Sequence, residues 1–544
     1  MTYDPAALRE VFERSTTYWA GFRRNVHRFA AAQAIYCPER QRGWTYAELG
    51  ADVDALAAGL VSAGVRPGEV VVYQLFNGVE FALLYLATQQ CGAVGAPINF
   101  RLSAGETAYV LDAARPVAYL YDADLSGTAT EALRLASHAP ATVLRVGGAG
   151  DGRAFDDLLD AGRSALAAGA ATPSPPGDVT VYSETTRLFT SGTTGMPKGV
   201  PLPNLVEVFS AHDVIMHFPL SPYDRTLNMT PWFHRGGLYS GGPNPVFYVG
   251  AACVPMRTFE PARCLDFVAD LGLTFLIGAP TNLALLATEQ EARPRDLSTL
   301  RGIVTMGSPL DRAACLRYQK VLTPRIFNGY GTTESFWNTF LRPEDLPEHA
   351  GTAGRACTDD DVAVVVPGGA PTDDVPRDGE TVGEVLVRSV KAGYAYDDAA
   401  TTAQKFAGGW FATGDLATWD EGEFVTIVGR RDDMIISGGE NVHPVQVEAV
   451  LAEHPAVADA AVVGVPDPTW GRLLVAYVVT AEPVSAAELD RHCREHPMLA
   501  DFKRPRRYRF VSELPMTATG KKVHYRITEI ATADAEAGLL ESPT

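Results

Sequence analysis

The thirteen residues from Leu188 to Val200 read Leu-Phe-Thr-Ser-Gly-Thr-Thr-Gly-Met-Pro-Lys-Gly-Val. Gly192, Gly195 and Gly199 let backbone N–H groups turn inward, Thr190, Ser191, Thr193 and Thr194 add hydroxyl donors, and Lys198 adds a compact positive charge. Together these groups meet the needs of a polyphosphate cradle. The run is not a Walker loop, because the spacing G-x-x-x-x-G-K-[ST] is absent from it. Lysine is scarce elsewhere. Lys198, Lys320, Lys391, Lys405, Lys503, Lys521 and Lys522 stand against 39 arginines, so each retained lysine is expected to need a rotatable point charge rather than a flat fork.

The elements that must carry such a cradle are legible around it. Thr45 and Glu48 have capping-box spacing, and Leu49, Val53, Leu56 and Leu60 then recur at helical intervals up to Gly64. Val70–Tyr73 reads as a buried strand, Phe81–Gln90 as a helix and Val94–Ile98 as a strand; further on, helix Cys264–Leu271 precedes strands Thr274–Ile277 and Gly302–Met306. This alternation predicts an α/β body on mainly parallel sheets. Residues 166–178, rich in Ala, Pro and Gly, read as an exposed connector between subdomains of about 1–170 and 179–431. After Gly429 the texture changes to helix Pro444–Glu453, strands Val457–Val465 and Leu473–Thr480, and a helix capped by Ser485 with Glu488. A small α+β domain over 432–544 is expected, with an Ala-rich, acidic end at 530–544 that reads as a frayed helix or a disordered tail.

The chain has 544 residues and a formal charge of −19, from 46 Lys+Arg against 65 Asp+Glu. An acidic total argues against nucleic acid or an anionic membrane as partner, since both need a basic face. The start lacks a basic cap followed by an apolar run, and no apolar stretch reaches the length of a membrane span, so a cytoplasmic protein is expected. Seven cysteines without C-x-x-C spacing predict buried thiols, not disulfides or zinc.

The Leu188–Val200 string resembles the phosphate-binding signature of the adenylate-forming (ANL) superfamily, and four more motifs follow in family order over roughly residues 20–527. Tyr330-Gly331-Thr332-Thr333-Glu334 is similar to Y-G-x-T-E, and Phe411-Ala412-Thr413-Gly414-Asp415 to the T-G-D motif. Gly429 to Asn441 is similar to the hinge motif in its CoA-ligase form, and Pro515 to Lys521 to the C-terminal lysine motif. Ala500-Asp501-Phe502-Lys503-Arg504-Pro505 resembles aryl-CoA ligases of the 4-chlorobenzoate type.

The resemblance implies an ANL fold: a large N-terminal domain (1–431) of stacked, mixed or parallel sheets, and a mobile C-terminal lid (432–544) turning about Asp432. It implies an AMP-forming acid:CoA ligase using ATP, Mg²⁺ and CoA, acting on a small carboxylic acid of aryl or alicyclic type. An enzyme that passes its acyl-AMP to a carrier protein or partner ligase is the alternative, and a homodimer stays open. Glu334 would hold Mg²⁺, Asp415 with Arg430 the ribose, and Tyr330 the adenine, with Gly307, Ser308, Asn328, Gly329, Gly331, Thr332 and Thr333 completing the nucleotide site. Lys521 would bridge the carboxylate and the α-phosphate, acting with Lys198, Glu334 and His234. Gly438, Gly439, Glu440 and Lys503 would meet CoA, and Trp232, His234, Asn282, Phe336 and Trp337 would wall the acyl pocket.

Overall fold

The computed structural model describes residues 4–543 except 192–196, 432, 438, 439, 468, 469, 497, 498, 500 and 518–520. Local signals act as read. Glu48 N–H donates to Thr45 Oγ1 at 3.2 Å and Thr45 N–H to Glu48 Oε2 at 2.8 Å, closing the capping box of helix Tyr46–Ser62. The apolar runs form strands Val70–Gln74, Val94–Pro97, Phe275–Gly278 and Gly302–Met306, all buried on both faces. That double burial is why they read as continuous apolar stretches.

Two large sheets build the N-terminal domain. One has seven strands, in the order Arg153–Ala154, Thr142–Val146, Ala118–Asp122, Val70–Gln74, Val94–Pro97, Glu184–Ser191 and Pro197–Pro203. The other has nine and runs from Arg355–Ala356 through Phe336–Leu341, Ile326–Thr332, Gly302–Met306, Phe275–Gly278, Arg225–Asn228 and Ala252–Cys253 to Gln33–Cys37 and Arg42–Thr45. A smaller antiparallel sheet contains Asp360–Val365, Gly383–Ser389, Trp410–Trp419 and Val425–Arg430.

The expected division at 166–178 does not separate these sheets. Gly95 pairs with Thr186, and Ile35 with Cys253, so strands from both sides of the connector share each sheet. Composition marks the exposed loop but carries no information about strand partners that are distant in sequence.

Strands Val457–Asp467, Gly471–Thr480 and Arg507–Phe510 form the C-terminal sheet, flanked by helices Pro444–Ala452, Ala486–Glu495 and His524–Glu536. The expectation of a disordered 530–544 tail is overturned. Ile527 and Ala531 are fully buried against the sheet, the Tyr477 hydroxyl donates to Asp534 Oδ2 at 2.7 Å, and Tyr508 and Glu541 exchange backbone hydrogen bonds. The alanines that suggest a frayed end let the helix lie close to the strands. Among the described residues no helix is long and apolar enough to cross a membrane. All seven cysteines are free and buried.

One of the scarce lysines has a structural task. Lys391 is 1% exposed, and its ammonium meets Asp213 Oδ2 at 2.8 Å, Asp360 Oδ2 at 3.0 Å and the Trp337 carbonyl at 2.6 Å. Burial opposes its charge, but Cys357, Asp213 and Asp360 hold its pKa above the ordinary lysine range. Lys391→Met strands two buried carboxylates and is expected to cost about 3–5 kcal/mol, read as a lower midpoint in urea denaturation.

Candidate active site

Strands Arg225–Asn228, Phe275–Gly278, Gly302–Met306 and Ile326–Thr332 run parallel, so their carboxyl ends fall on one side of the nine-stranded sheet. The segments that leave those ends carry His234, Asn282, Gly307 with Ser308, and Glu334. Ligands in open α/β sheets bind outside such ends.

Asp415 is the centre of the first group. It lies opposite Arg430 in the pairing of Trp410–Trp419 with Val425–Arg430. The Tyr330 hydroxyl donates to its Oδ2 at 2.7 Å, and Arg430 Nη1 to its Oδ1 at 3.2 Å. Its own N–H donates to Thr413 Oγ1 at 3.0 Å, and that hydroxyl donates to the Val385 carbonyl at 2.9 Å. Burial raises the Asp415 carboxyl above its ordinary value, while Arg430, Tyr330 and Lys521 pull it back. Asn328, buried one strand end away, donates to the Thr352 carbonyl at 3.1 Å.

Two glycines shape this edge. Gly307 has φ +89°, the left-handed region that favours glycine, and a Cβ there would sit 3.7 Å from Lys521 Cε. At Gly331 a Cβ would lie 1.5 Å from the Phe336 carbonyl oxygen, so only glycine permits the tight return between the strands. Thr332 is used within that return, its Oγ1 accepting from Ser335 N–H at 3.3 Å; Thr333 is half-buried beside it, and Gly329 packs under the Trp337 ring.

Lys521 enters the cleft from the C-terminal lobe. Its N–H donates to Thr517 Oγ1 at 3.0 Å and its carbonyl accepts from Thr517 N–H at 2.7 Å, which aims the side chain across the lobes. The side chain keeps access to solvent, yet the crowding of both lobes pushes its ammonium below the ordinary lysine range, with Arg430 adding to that and Asp415 and Glu334 opposing it. Burial, then Lys521 and Arg101, push His234 down to about 3, so its imidazole is neutral near pH 7. Lys521, Asp415, Arg430, Glu334 and His234 therefore share one electrostatic neighbourhood.

Glu334 Oε1 accepts from the Tyr396 hydroxyl at 2.5 Å, and burial followed by Glu334 raises that hydroxyl's pKa strongly. Lys198, opposite Thr190 in the strand pair, donates to Thr401 Oγ1 at 3.0 Å, and Gly199 N–H donates to Asp397 Oδ2 at 2.9 Å. Tyr396, Asp397 and Thr401 were not found from sequence. The only hint was the rare Lys391 that opens their segment.

Not every expected residue stands in the cleft. Trp232 is 1% exposed with its ring edge-on to Phe81 at 5.7 Å, a core position rather than a wall. Asn282 Oδ1 accepts from Ala279 N–H at 2.9 Å and closes the start of helix Pro280–Ala292. Asn282 was expected from a wall segment and Trp232 from the segment around His234; the structure places one at a helix start and the other in the core. Phe336, at φ +62° for a bulky side chain, stacks on Trp337 with ring centroids 4.8 Å apart. Lys503 donates to Gln446 Oε1 at 2.8 Å. Gly192, Thr193, Thr194 and Gly195 of the cradle, the hinge Asp432, and Gly438 and Gly439 lie outside the described residues, as do the side chains of Ser191 and Glu440.

Lys522 is held inside the lobe. It pairs with Asp459 Oδ1 at 2.9 Å and Glu448 Oε2 at 3.2 Å, while His524 Nε2 lies 2.6 Å from Glu448 Oε1. Burial works against a charged His524, but Glu448 and then Asp433 carry its pKa above 6.5, with Lys522 opposing. A raised folded pKa gives stability that is complete below the unfolded value and lost as pH climbs through the folded one. The denaturation midpoint is expected to fall over that window in the wild type, and to fall less in His524→Gln.

Comparison with known proteins places this geometry. The AMP-binding enzyme family matches residues 22–395, and the AMP-binding enzyme C-terminal domain matches 446–521. The chain belongs to the AMP-binding enzyme family. It is 31% identical over 528 residues to a 4-chlorobenzoate–CoA ligase of Arthrobacter sp, covering 94% of each chain. It is 35% identical over 501 residues to the 3-[(3aS,4S,7aS)-7a-methyl-1,5-dioxo-octahydro-1H-inden-4-yl]propanoyl:CoA ligase of Mycobacterium tuberculosis (strain ATCC 25618 / H37Rv), covering 90% of this chain and 94% of that one. Among solved structures, the anthranilate CoA ligase AuaEII in complex with anthranoyl-AMP superposes with a TM-score of 0.85 at 26% identity, covering 96% of this chain and 98% of that one. The α/β body and small C-terminal domain are the architecture these AMP-binding enzymes share.

Proposed function

We propose that this protein is an ATP-dependent carboxylic acid:CoA ligase, forming an acyl-adenylate with release of pyrophosphate and then an acyl-CoA with release of AMP. Its acid is of aryl or alicyclic type, the chemistry named for the Arthrobacter and Mycobacterium tuberculosis relatives. The observation that carries this reading is Lys521, delivered by one lobe to Gly307, Asp415, Glu334 and His234 of the other.

The first step brings a carboxylate against the α-phosphate, two anions that repel in water. Its rate must come from positioning and from cations placed where charge develops. Lys521 can follow charge between two oxygens, because an ammonium rotates where a guanidinium cannot. Asp415 fits the ribose hydroxyls as a buried acceptor already oriented by Tyr330 and Arg430. Neutral His234 is suited to donate or accept one hydrogen bond at the acid without adding charge. Glu334, a hard oxygen donor with one oxygen steadied by Tyr396, would hold Mg²⁺, which would neutralise phosphate charge when bound. The second step places a thiol against the adenylate carbonyl, and the thiol's own acidity supplies the nucleophile.

The test is pyrophosphate exchange into ATP over a panel of acids, then AMP release with and without CoA. Ring acids are expected to support exchange without CoA and to release AMP with it. Equal or better turnover of palmitate than of benzoate-sized acids would reject the acid class; AMP release only with an added carrier protein would reject CoA as acceptor.

A further inference from the structure

Sixteen buried side-chain nitrogens and oxygens lack a hydrogen-bond partner among the described residues, and five fall between Trp232 and Ser240: Trp232 Nε1, His234 Nε2, Arg235 Nε and Nη1, and Ser240 Oγ. Buried polar groups are nearly always satisfied, so a concentration of this kind calls for an explanation. Arg235 is the most demanding member, because its charge cannot be removed by losing a proton.

The Arg235 side chain is almost wholly enclosed, with 4% of the residue exposed. Its Nη2 donates to Ser210 Oγ at 3.1 Å and to the Lys391 carbonyl at 3.2 Å. Its guanidinium lies 4.2 Å over the Tyr239 ring and 5.3 Å from the Phe336 ring. Among the described residues no carboxylate forms an ion pair with it. It feels the field of two acids, Glu207 and Glu334; Glu207 is already engaged by the hydroxyls of Tyr85 at 2.6 Å and Tyr239 at 2.7 Å and by Asn244 Nδ2 at 2.9 Å, and Glu334 Oε1 by the Tyr396 hydroxyl. A structural counter-charge for Glu207 would use Arg235 as a whole, and would leave no reason for two bare N–H positions.

Its place in the fold supplies the reason. Arg235 follows His234, which shares the field of Lys521, and it borders Phe336, the strained residue on the return from the nucleotide edge. The neighbouring Gly236 would bring a Cβ to 3.0 Å from Met306 Sδ, so this backbone is pressed against the end of the adjacent strand without bulk. An acid whose carboxylate sat by Lys521 and His234 and whose ring displaced or lay along Phe336 would bring its far end towards the guanidinium, 5.3 Å from that ring.

We propose that Arg235 determines specificity: it receives a second oxygen, carbonyl or carboxylate, carried by the acid at the end remote from the activated carboxyl. The substrate class is then a ring acid bearing an acceptor oxygen, not an unadorned hydrophobic one. This rests on the ligase reading above and narrows its acid.

The experiment compares benzoate and cyclohexanecarboxylate with their 3- and 4-acetyl and 3- and 4-carboxylate derivatives, by kcat/KM for pyrophosphate exchange in the full-length wild type, Arg235→Met and Arg235→Lys. In the wild type the best oxygenated acid is expected to exceed its parent by about 10- to 100-fold, the worth of one charge-assisted hydrogen bond. Arg235→Met should bring that ratio close to one, and Arg235→Lys should keep part of it; the ratio is insensitive to a general loss of active protein. The acetyl and carboxylate arms show whether the second oxygen is neutral or anionic. Wild-type preference for the parent acids, or a ratio unmoved by Arg235→Met, overturns the proposal; if Arg235→Met does not fold, the wild-type panel alone decides. No exchange with any acid brings down the ligase reading itself, whereas exchange that favours the parents removes only this narrowing.

Discussion

Lys521→Ala is expected to lower acyl-adenylate formation by on the order of 10²- to 10³-fold, the effect of removing a preorganised donor from a site of developing charge. The same variant should lose far less in the reaction of a supplied acyl-adenylate with CoA. The reason is geometric: Lys521 is the group that the C-terminal lobe contributes to a cleft whose other members, Gly307, Asp415, Glu334 and His234, all belong to the N-terminal domain. Its side chain lies against Gly307 and shares the field of Asp415 and Glu334, so its charge would act directly on oxygens bound there. Separate assays of the two half-reactions check this. An equal loss in both would mean that the residue serves lobe architecture and not the first step.

Asp415→Ala should raise KM for ATP by on the order of 10²- to 10⁴-fold, with a smaller change in kcat. Two ribose hydroxyls would lose a charged acceptor, and hydrogen bonds to charged groups are worth about 1.5–3 kcal/mol each. Tyr330 and Arg430, which now converge on the two carboxylate oxygens, would also lose the group that orients them. The ATP dependence of pyrophosphate exchange measures the change. An unaltered KM would remove Asp415 from the nucleotide site. Asp415→Asn keeps the shape without the charge, and should fall between the two.

Much of this was legible because it is local. The Thr45–Glu48 box, the strand Gly302–Met306 and the spacing of the five motifs each depend on residues close in sequence. Burial on both faces made the parallel strands plain as apolar runs. Pairing over long range was not legible. Nothing near residue 35 says that Ile35 will lie beside Cys253, and nothing in an alanine-rich end says that Glu541 will pair with Tyr508. The site divided in the same way. Asp415 and Lys521 announce themselves by motif, whereas Tyr396 becomes visible only when the chain brings its hydroxyl to Glu334. Arg235 directly follows His234, a residue singled out from the sequence, yet its meaning depends on which of its nitrogens are satisfied, and no sequence pattern encodes that.

The pairing of Gln33–Cys37 with Ala252–Cys253 also sets a timetable for synthesis. At about 5–20 residues per second, the ribosome needs roughly 10–40 s to make the chain between these strands. During that interval an apolar strand edge waits without its neighbour, a period in which chaperones have reason to hold the nascent chain. The C-terminal lobe closes over neighbours close in sequence, so Lys521 emerges when the large domain already has every strand it needs.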